Sequence, residues 1–186
     1  MNKIGLFFGT ETGTTRLVAK KLHKKLGEDI CDKPLNVNRI APADMLKYDA
    51  LILGTPSYGE GNIPGKGASG CFEPNWEEFL AQFDGPPDLR GKRVAFFGLG
   101  AQERYPERFC GSLLALYMVF KGWGAEIVGE WPVDGYTFAH SPAALEGRFV
   151  GLVIDQRTQS LFTDARIDAW LARIKPLLLE KIEAAA

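Results

Sequence analysis

Strand-length apolar runs alternate with helix-length amphipathic patterns along most of this chain. The runs lie at about residues 3–9, 35–39, 49–55, 93–98, 125–131 and 149–154, and the helical patterns at residues 13–26, 75–83, 107–122 and 164–183. The run Leu51-Ile52-Leu53 is apolar without interruption, which is typical of a strand covered on both faces. The alternation predicts an α/β fold with a doubly wound parallel sheet.

Length and composition indicate a single domain. With 186 residues, 46% of them hydrophobic, the chain can bury a full core as one unit over residues 1–186. The formal net charge of −1 and the lack of aromatic or glycine residues among the basic side chains argue against a nucleic-acid partner. No run of 18 apolar residues and no secretory signal pattern occurs, so we expect a cytoplasmic protein with no membrane partner.

Cysteine and histidine usage points away from metal and disulfide chemistry. The three cysteines, Cys31, Cys71 and Cys110, form no C-x-x-C pair and no metal-ligand cluster. Only two histidines are present, so neither a catalytic triad nor a histidine metal site has its parts. We therefore expect reduced thiols and no metal ion.

The first strand leads directly into a loop rich in hydroxyl groups. Residues 3–9 run into Thr10-Glu11-Thr12-Gly13-Thr14-Thr15, and a helical pattern follows. Unpaired N–H groups at a helix N-terminus favour an anion. The threonines alone could equally be N-cap residues. No Lys follows the glycine and no G-x-G-x-x-G is present, which favours a phosphate monoester over a nucleoside triphosphate or a dinucleotide.

Two further loops follow the third and fourth predicted strands. They read Thr55-Pro56-Ser57-Tyr58-Gly59-Glu60-Gly61 and Leu99-Gly100-Ala101-Gln102-Glu103-Arg104-Tyr105. Ligands of open α/β sheets bind outside the carboxyl ends of the strands. Tyr58 and Tyr105 would each be an ordinary surface residue taken alone, but together they can enclose a flat ring whose phosphate lies on the threonine loop. This geometry favours flavin mononucleotide (FMN).

The loops together resemble those of the long-chain flavodoxins, especially those that reduce nitrogenase. The matching motifs are I-G-L-F-F-G-T-E-T-G-T-T, L-N-V-N-R-I, L-I-L-G-T-P-S-Y-G-E-G and F-G-L-G-A-Q-E-R-Y-P-E, and the likeness spans essentially the whole chain. It implies a five-stranded parallel sheet in the order 2-1-3-4-5, with helices on both faces. It also implies a long-chain insertion loop at residues 132–148. The stretch from residue 62 to residue 75 is similar to an extra segment of nitrogenase-linked members.

The resemblance implies a low-potential one-electron carrier that is a monomer and performs no catalysis of its own. A flavodoxin reductase or another oxidoreductase would donate electrons, and the nitrogenase iron protein would accept them. The implied FMN-binding residues are Thr10, Glu11, Thr12, Gly13, Thr14, Thr15, Thr55, Pro56, Ser57, Tyr58, Gly59, Glu60, Leu99, Gly100, Ala101, Gln102, Tyr105, Arg108 and Asp155. An acidic cluster after the first flavin loop would steer basic partners, and it comprises Glu60, Glu73, Glu77, Glu78, Asp84 and Asp88.

Three positions near the expected flavin depart from the family pattern. Ala101 replaces an acidic residue, and Arg104 and Arg108 add positive charge. An arginine close to flavin N1 or O2 would stabilise the anionic reduced flavin and raise the lower potential. The opposing interpretation, stronger for Arg104, is a guanidinium that points into solvent and contributes little.

Two other classes of function remain open at this point. One is an FMN-dependent quinone or nitro reductase that takes hydride from NAD(P)H, and it would need an open pocket over the ring. The other is an FMN-sensing or interaction module, which would not pass electrons to an acceptor. Tyr105 over the ring argues against the reductase, and NAD(P)H turnover without an added reductase would argue for it.

Overall fold

The computed structural model describes residues 3–184, which form an α/β fold around one parallel sheet. The strands are β1 (Gly5–Phe8), β2 (Leu35–Asn36), β3 (Ala50–Thr55), β4 (Arg93–Leu99) and β5 (Glu126–Val128). Their order is β2-β1-β3-β4-β5, and every pair along it is parallel. The predicted fold class and strand order are confirmed.

The strand at the far edge of the sheet is interrupted. β5 pairs with the first half of β4, and β9 (Leu152–Ile154) pairs with its second half. Between them, β6 (Trp131–Pro132), β7 (Ala144–Leu145) and β8 (Arg148–Phe149) form a small antiparallel sheet in the order β6-β8-β7. The interruption therefore extends from residue 129 to residue 151, longer than the predicted 132–148, and it contains strands as well as loop.

Helices cover both faces of the sheet. They are α1 (Thr14–Leu26), α2 (Pro42–Leu46), α3 (Trp76–Leu80), α4 (Gly111–Gly122) and α5 (Thr163–Ala184). Helix α1 packs beside α5, where Lys21 pairs with Asp164 at 2.9 Å, and α3 packs beside α4 through Trp76 and Phe120. Within residues 3–184, no helix combines the length and the apolar character needed to cross a bilayer.

Local capping explains where the elements differ from the sequence-based prediction. The predicted strand at 35–39 stops after Asn36, because the Asn36 side chain accepts a hydrogen bond from Asn38 N and starts a 3-10 turn over Val37–Arg39. Helix α2 was not predicted, although Pro42 occupies its first turn and Asp44 accepts from the Ala41 N–H at 3.0 Å. Helix α4 begins at Gly111 rather than at residue 107.

The core fixes the end of β3 relative to its neighbours. Trp76 is fully buried and its Nε1–H donates to the carbonyl oxygen of Gly54 at 2.9 Å. A Cβ on Gly54 would lie 2.0 Å from the Phe97 ring, so only glycine allows β3 and β4 to pack here. The loops that follow these two strands therefore leave the sheet from a rigid base.

Candidate functional site

A cleft of about 570 Å³ lies where the sheet strands β1, β3 and β4 end. This volume is in the range of cofactor sites. The residues that line it come from the loops after β1, β3, β4 and β9 and from the start of α4. They are Thr10, Glu11, Thr12, Thr14, Thr15, Pro56, Ser57, Tyr58, Gly59, Glu60, Gly61, Leu99, Gly100, Ala101, Arg104, Tyr105, Arg108, Cys110, Gln156 and Arg157.

Four of the predicted site residues do not line this cleft: Gly13, Thr55, Gln102 and Asp155. Asp155 is fully buried, and its carboxylate accepts hydrogen bonds from Gln102 N at 3.0 Å and from Thr158 N at 3.0 Å. The Gln102 side chain donates to Thr158 Oγ1 at 3.2 Å. Both side chains therefore shape the wall of the cleft from behind, because their polar atoms are bonded within the protein.

Five lining residues are absent from the predicted FMN-binding residues: Gly61, Arg104, Cys110, Gln156 and Arg157. Gln156 and Arg157 directly follow β9, so the rule that ligands bind beyond strand ends would have identified them. Cys110 precedes α4 with a left-handed backbone of φ 57°, and its residue type gives no hint of that conformation.

The β1–α1 loop has the chemistry of a phosphate site. Gly13 precedes α1 with φ 91°, and no side chain caps the first N–H groups of this helix. The interpretation of the threonines as simple N-caps is therefore wrong for α1. Thr10 Oγ1 accepts from Gly13 N at 3.0 Å, which leaves its own hydroxyl hydrogen to donate, and Thr12 Oγ1 lies 3.3 Å from Thr14 Oγ1. Several hydroxyls beside an uncapped helix N-terminus suit an anion.

The loop after β3 is held in shape by the buried Ser112. Tyr58 N donates to Ser112 Oγ at 3.2 Å, and Ser112 Oγ donates to the carbonyl oxygen of Asn62 at 2.7 Å. A turn hydrogen bond from Gly61 N to Tyr58 O closes the loop at 3.2 Å, and Gly59 takes φ 59° within it. Glycine adopts this positive φ without strain. Partial burial raises the pKa of the Tyr58 phenol.

Two arginines surround the tyrosine of the loop after β4. Tyr105 is 38% exposed, and the guanidinium carbons of Arg104 and Arg108 lie 5.4 Å and 5.3 Å from its ring centroid. Arg108 also pairs with the Glu60 carboxylate and so joins the two loops across the cleft. The positive charge of Arg108 is therefore partly cancelled by Glu60.

The cleft is equipped for binding rather than for nucleophilic chemistry. Burial raises the pKa of its thiol, Cys110, to about 12, so the thiol stays protonated near pH 7. Across residues 3–184, no three His, Cys, Asp or Glu side chains are grouped as metal ligands. Its remaining features are the threonine hydroxyls and N–H groups of the β1–α1 loop, two tyrosines, of which Tyr58 is hydrogen-bonded to Thr12, and the backbone of Gly59 and Gly100.

Comparisons with known proteins agree with this geometry. The flavodoxin family profile matches residues 6–170. A flavodoxin of Klebsiella pneumoniae is 47% identical over 180 residues, which are 96% of this chain and all of that protein. Flavodoxin 1 of Azotobacter vinelandii is 38% identical over 92% of this chain and 95% of its own length. A crystal structure of Fusobacterium nucleatum flavodoxin bound to flavin mononucleotide superposes with a TM-score of 0.81 at 31% identity, covering 95% of this chain and 98% of that one. This chain belongs to the flavodoxin family.

Proposed function

We propose that this protein is a low-potential one-electron carrier that holds FMN without a covalent bond. The observation that carries the proposal is the pairing, in one cleft, of an uncapped helix N-terminus surrounded by threonines with two tyrosines at neighbouring strand ends. Flavodoxins are electron-transfer proteins, and the Fusobacterium relative was crystallised with flavin mononucleotide. No catalytic group is required for this function.

The residues present fit the parts of FMN. The hydroxyls of Thr10, Thr12, Thr14 and Thr15 and the first N–H groups of α1 would hold the phosphate. Tyr58 and Tyr105 would flank the ring, and the backbone of Gly100 and Ala101 would meet its pyrimidine edge.

When bound, FMN accepts and releases electrons singly. The protein surrounds the cofactor with buried groups: Leu99 and Ala101 are 8% and 9% exposed and keep water from the side of the cleft formed by the loop after β4. Gly59 can rotate its peptide so that the carbonyl points into the cleft, because glycine tolerates both backbone conformations.

For the electron acceptor we propose the nitrogenase iron protein, and for the donor a flavodoxin reductase or another oxidoreductase. Support comes from the likeness of residues 62–75 to the extra segment of nitrogenase-linked flavodoxins and from the position of this segment beside Gly59. Of the predicted steering charges, Glu77 and Glu78 accept backbone N–H bonds, and Glu60 pairs with Arg108. We therefore expect weak long-range steering. A cytoplasmic location and a monomeric state belong to the same proposal.

The family comparisons do not favour the alternative FMN-dependent quinone or nitro reductase. The two functions differ in a simple assay. A carrier shows no NAD(P)H oxidation until a separate reductase is added, whereas a reductase oxidises NAD(P)H alone with a quinone or nitro compound.

The affinities for FMN and riboflavin test the phosphate site, because riboflavin lacks only the phosphate. We expect Thr12→Val to weaken FMN binding about tenfold, the loss of one hydrogen bond to a charged group, and to affect riboflavin binding much less, through the Tyr58 contact of Thr12 alone. Thr137→Val, outside the cleft, is the matched control. Equal binding of FMN and riboflavin by the wild type would contradict the proposed phosphate site.

A further inference from the structure

Residues 62–75, here the rim segment, are held by glutamates from two other parts of the chain. Glu77 Oε2 accepts from Gly67 N at 2.9 Å. Glu78 accepts from Lys66 N at 2.8 Å and from Asn75 N at 2.8 Å. These two glutamates lie in α3, directly after the segment, so they anchor its first half and its end locally.

The third anchor comes from the loop that would hold the phosphate. Glu11 Oε1 accepts from Phe72 N at 2.7 Å, and Glu11 Oε2 accepts from Glu73 N at 3.3 Å. Both carboxylate oxygens are thus used by backbone N–H groups that lie more than sixty residues further along the chain. This contact joins the rim segment to the β1–α1 loop.

Glu11 places a negative charge beside the proposed phosphate site, and its contact with the rim segment offsets that charge. Glu11 lines the cleft between Thr10 and Thr12, and a carboxylate there would repel a phosphate dianion. Its oxygens are committed to the rim segment, where two N–H dipoles offset its charge. A role as a direct ligand of FMN therefore does not follow from its place in the loop.

The rim segment also forms the wall behind Gly59. A Cβ on Gly59 would lie 3.3 Å from Ser69 Cα and 3.5 Å from the Ala68 carbonyl oxygen. The segment thus contacts the loop after β3 at one point and the β1–α1 loop at another.

We propose that Glu11 is a positioning residue that ties the rim segment to the phosphate loop, rather than a ligand of the cofactor. By holding Phe72 and Glu73, it fixes the end of the rim segment that lies against the β1–α1 loop, whereas Glu77 holds Gly67 and Ala68 beside Gly59. The significance of this contact for electron transfer rests on the function proposed above, but the contact itself is made within the polypeptide.

Amide hydrogen exchange of the apoprotein tests the tie without the cofactor. In Glu11→Gln, we expect the amides of Phe72 and Glu73 to exchange about tenfold faster, because the neutral amide has one acceptor oxygen for two donors. The amides of Gly67 and Ala68 keep their protection. Glu77→Gln is the matched control and gives the reverse pattern. Glu11→Asp keeps the charge but is one methylene shorter, so it also accelerates exchange at Phe72 and Glu73.

FMN affinity, measured by fluorescence quenching, separates the two roles of Glu11. We expect Glu11→Gln to bind FMN at least as tightly as the wild type, since a negative charge beside the phosphate is removed. Unchanged exchange at Phe72 and Glu73 in Glu11→Gln would overturn the proposal, and so would a tenfold loss of FMN affinity. If the wild type does not bind FMN, the proposed function fails, while exchange in the apoprotein still decides whether Glu11 anchors the segment.

Discussion

Replacing Arg108 by Asn is expected to lower the more negative of the two flavin potentials. Arg108 lies 5.3 Å from the Tyr105 ring centroid and pairs with Glu60, so its charge and that of Glu60 oppose each other near the cleft. Removing the cation leaves the Glu60 carboxylate without its partner. Adding an electron to a ring beside that carboxylate then becomes less favourable.

The size of the shift follows from the geometry. If the flavin stacks on Tyr105 at ~3.5 Å, the Arg108 guanidinium is at most about 9 Å from the nearest part of the flavin ring. At an effective dielectric constant of about 40, between a surface pair and water, a unit charge at that distance contributes about 0.9 kcal/mol. For one electron this is about 40 mV.

Spectroelectrochemical titration at low salt measures this shift. We expect Arg108→Asn to lower the potential by about 40 mV, Glu60→Gln to raise it by a similar amount, and the double variant to lie close to the wild type. The shifts should shrink as salt is added, because the Glu60 side chain is 76% exposed. Arg173→Asn, outside the cleft, is the control. An unchanged or higher potential in Arg108→Asn would refute the reasoning.

Three further predictions concern the fold around the site. Burial raises the pKa of both Cys31 and Cys110 to about 12, so at pH 8 only about one thiol in ten thousand is ionised. Because the thiolate is the reactive form, alkylation of these cysteines by iodoacetamide should be slow until the protein unfolds. Burial alone would raise the pKa of Glu78, but backbone N–H donors lower the pKa overall. The stabilisation from the ionised carboxylate is present above pH 4.5 and is lost as the pH falls through the lowered pKa, so the difference in unfolding free energy between wild type and Glu78→Gln should shrink as the pH is lowered below 4.5. Trp76→Phe removes the indole hydrogen bond to the Gly54 carbonyl oxygen, which keeps its bond from Gly9 N, and it leaves a smaller ring in the core. It should lower the unfolding free energy in urea by about 1–2 kcal/mol.

Features set by local pattern could be predicted from the sequence. The apolar runs at β3 and β4 predict strands buried on both faces, and the glycine-containing loops after these strands indicate where a ligand would bind. The loops that follow, with Tyr58 and Tyr105, do line the cleft. The strand order came from family resemblance, since periodicity alone does not determine which strands are neighbours.

Features set by contacts between distant residues could not be predicted in this way. Asp155 was expected at the ligand, yet its buried carboxylate binds the backbone of Gln102, 53 residues away. Glu11 belongs to the threonine loop by sequence and to the rim segment by its hydrogen bonds. The left-handed conformation of Cys110 likewise depends on packing rather than on residue type.

A reductive titration of the wild-type protein after loading with FMN, with potential and spectrum recorded together, tests whether one cleft holds FMN and passes electrons singly. We expect one FMN per chain and two separate one-electron steps. A single two-electron step, or a chain that takes up no FMN, would contradict this expectation.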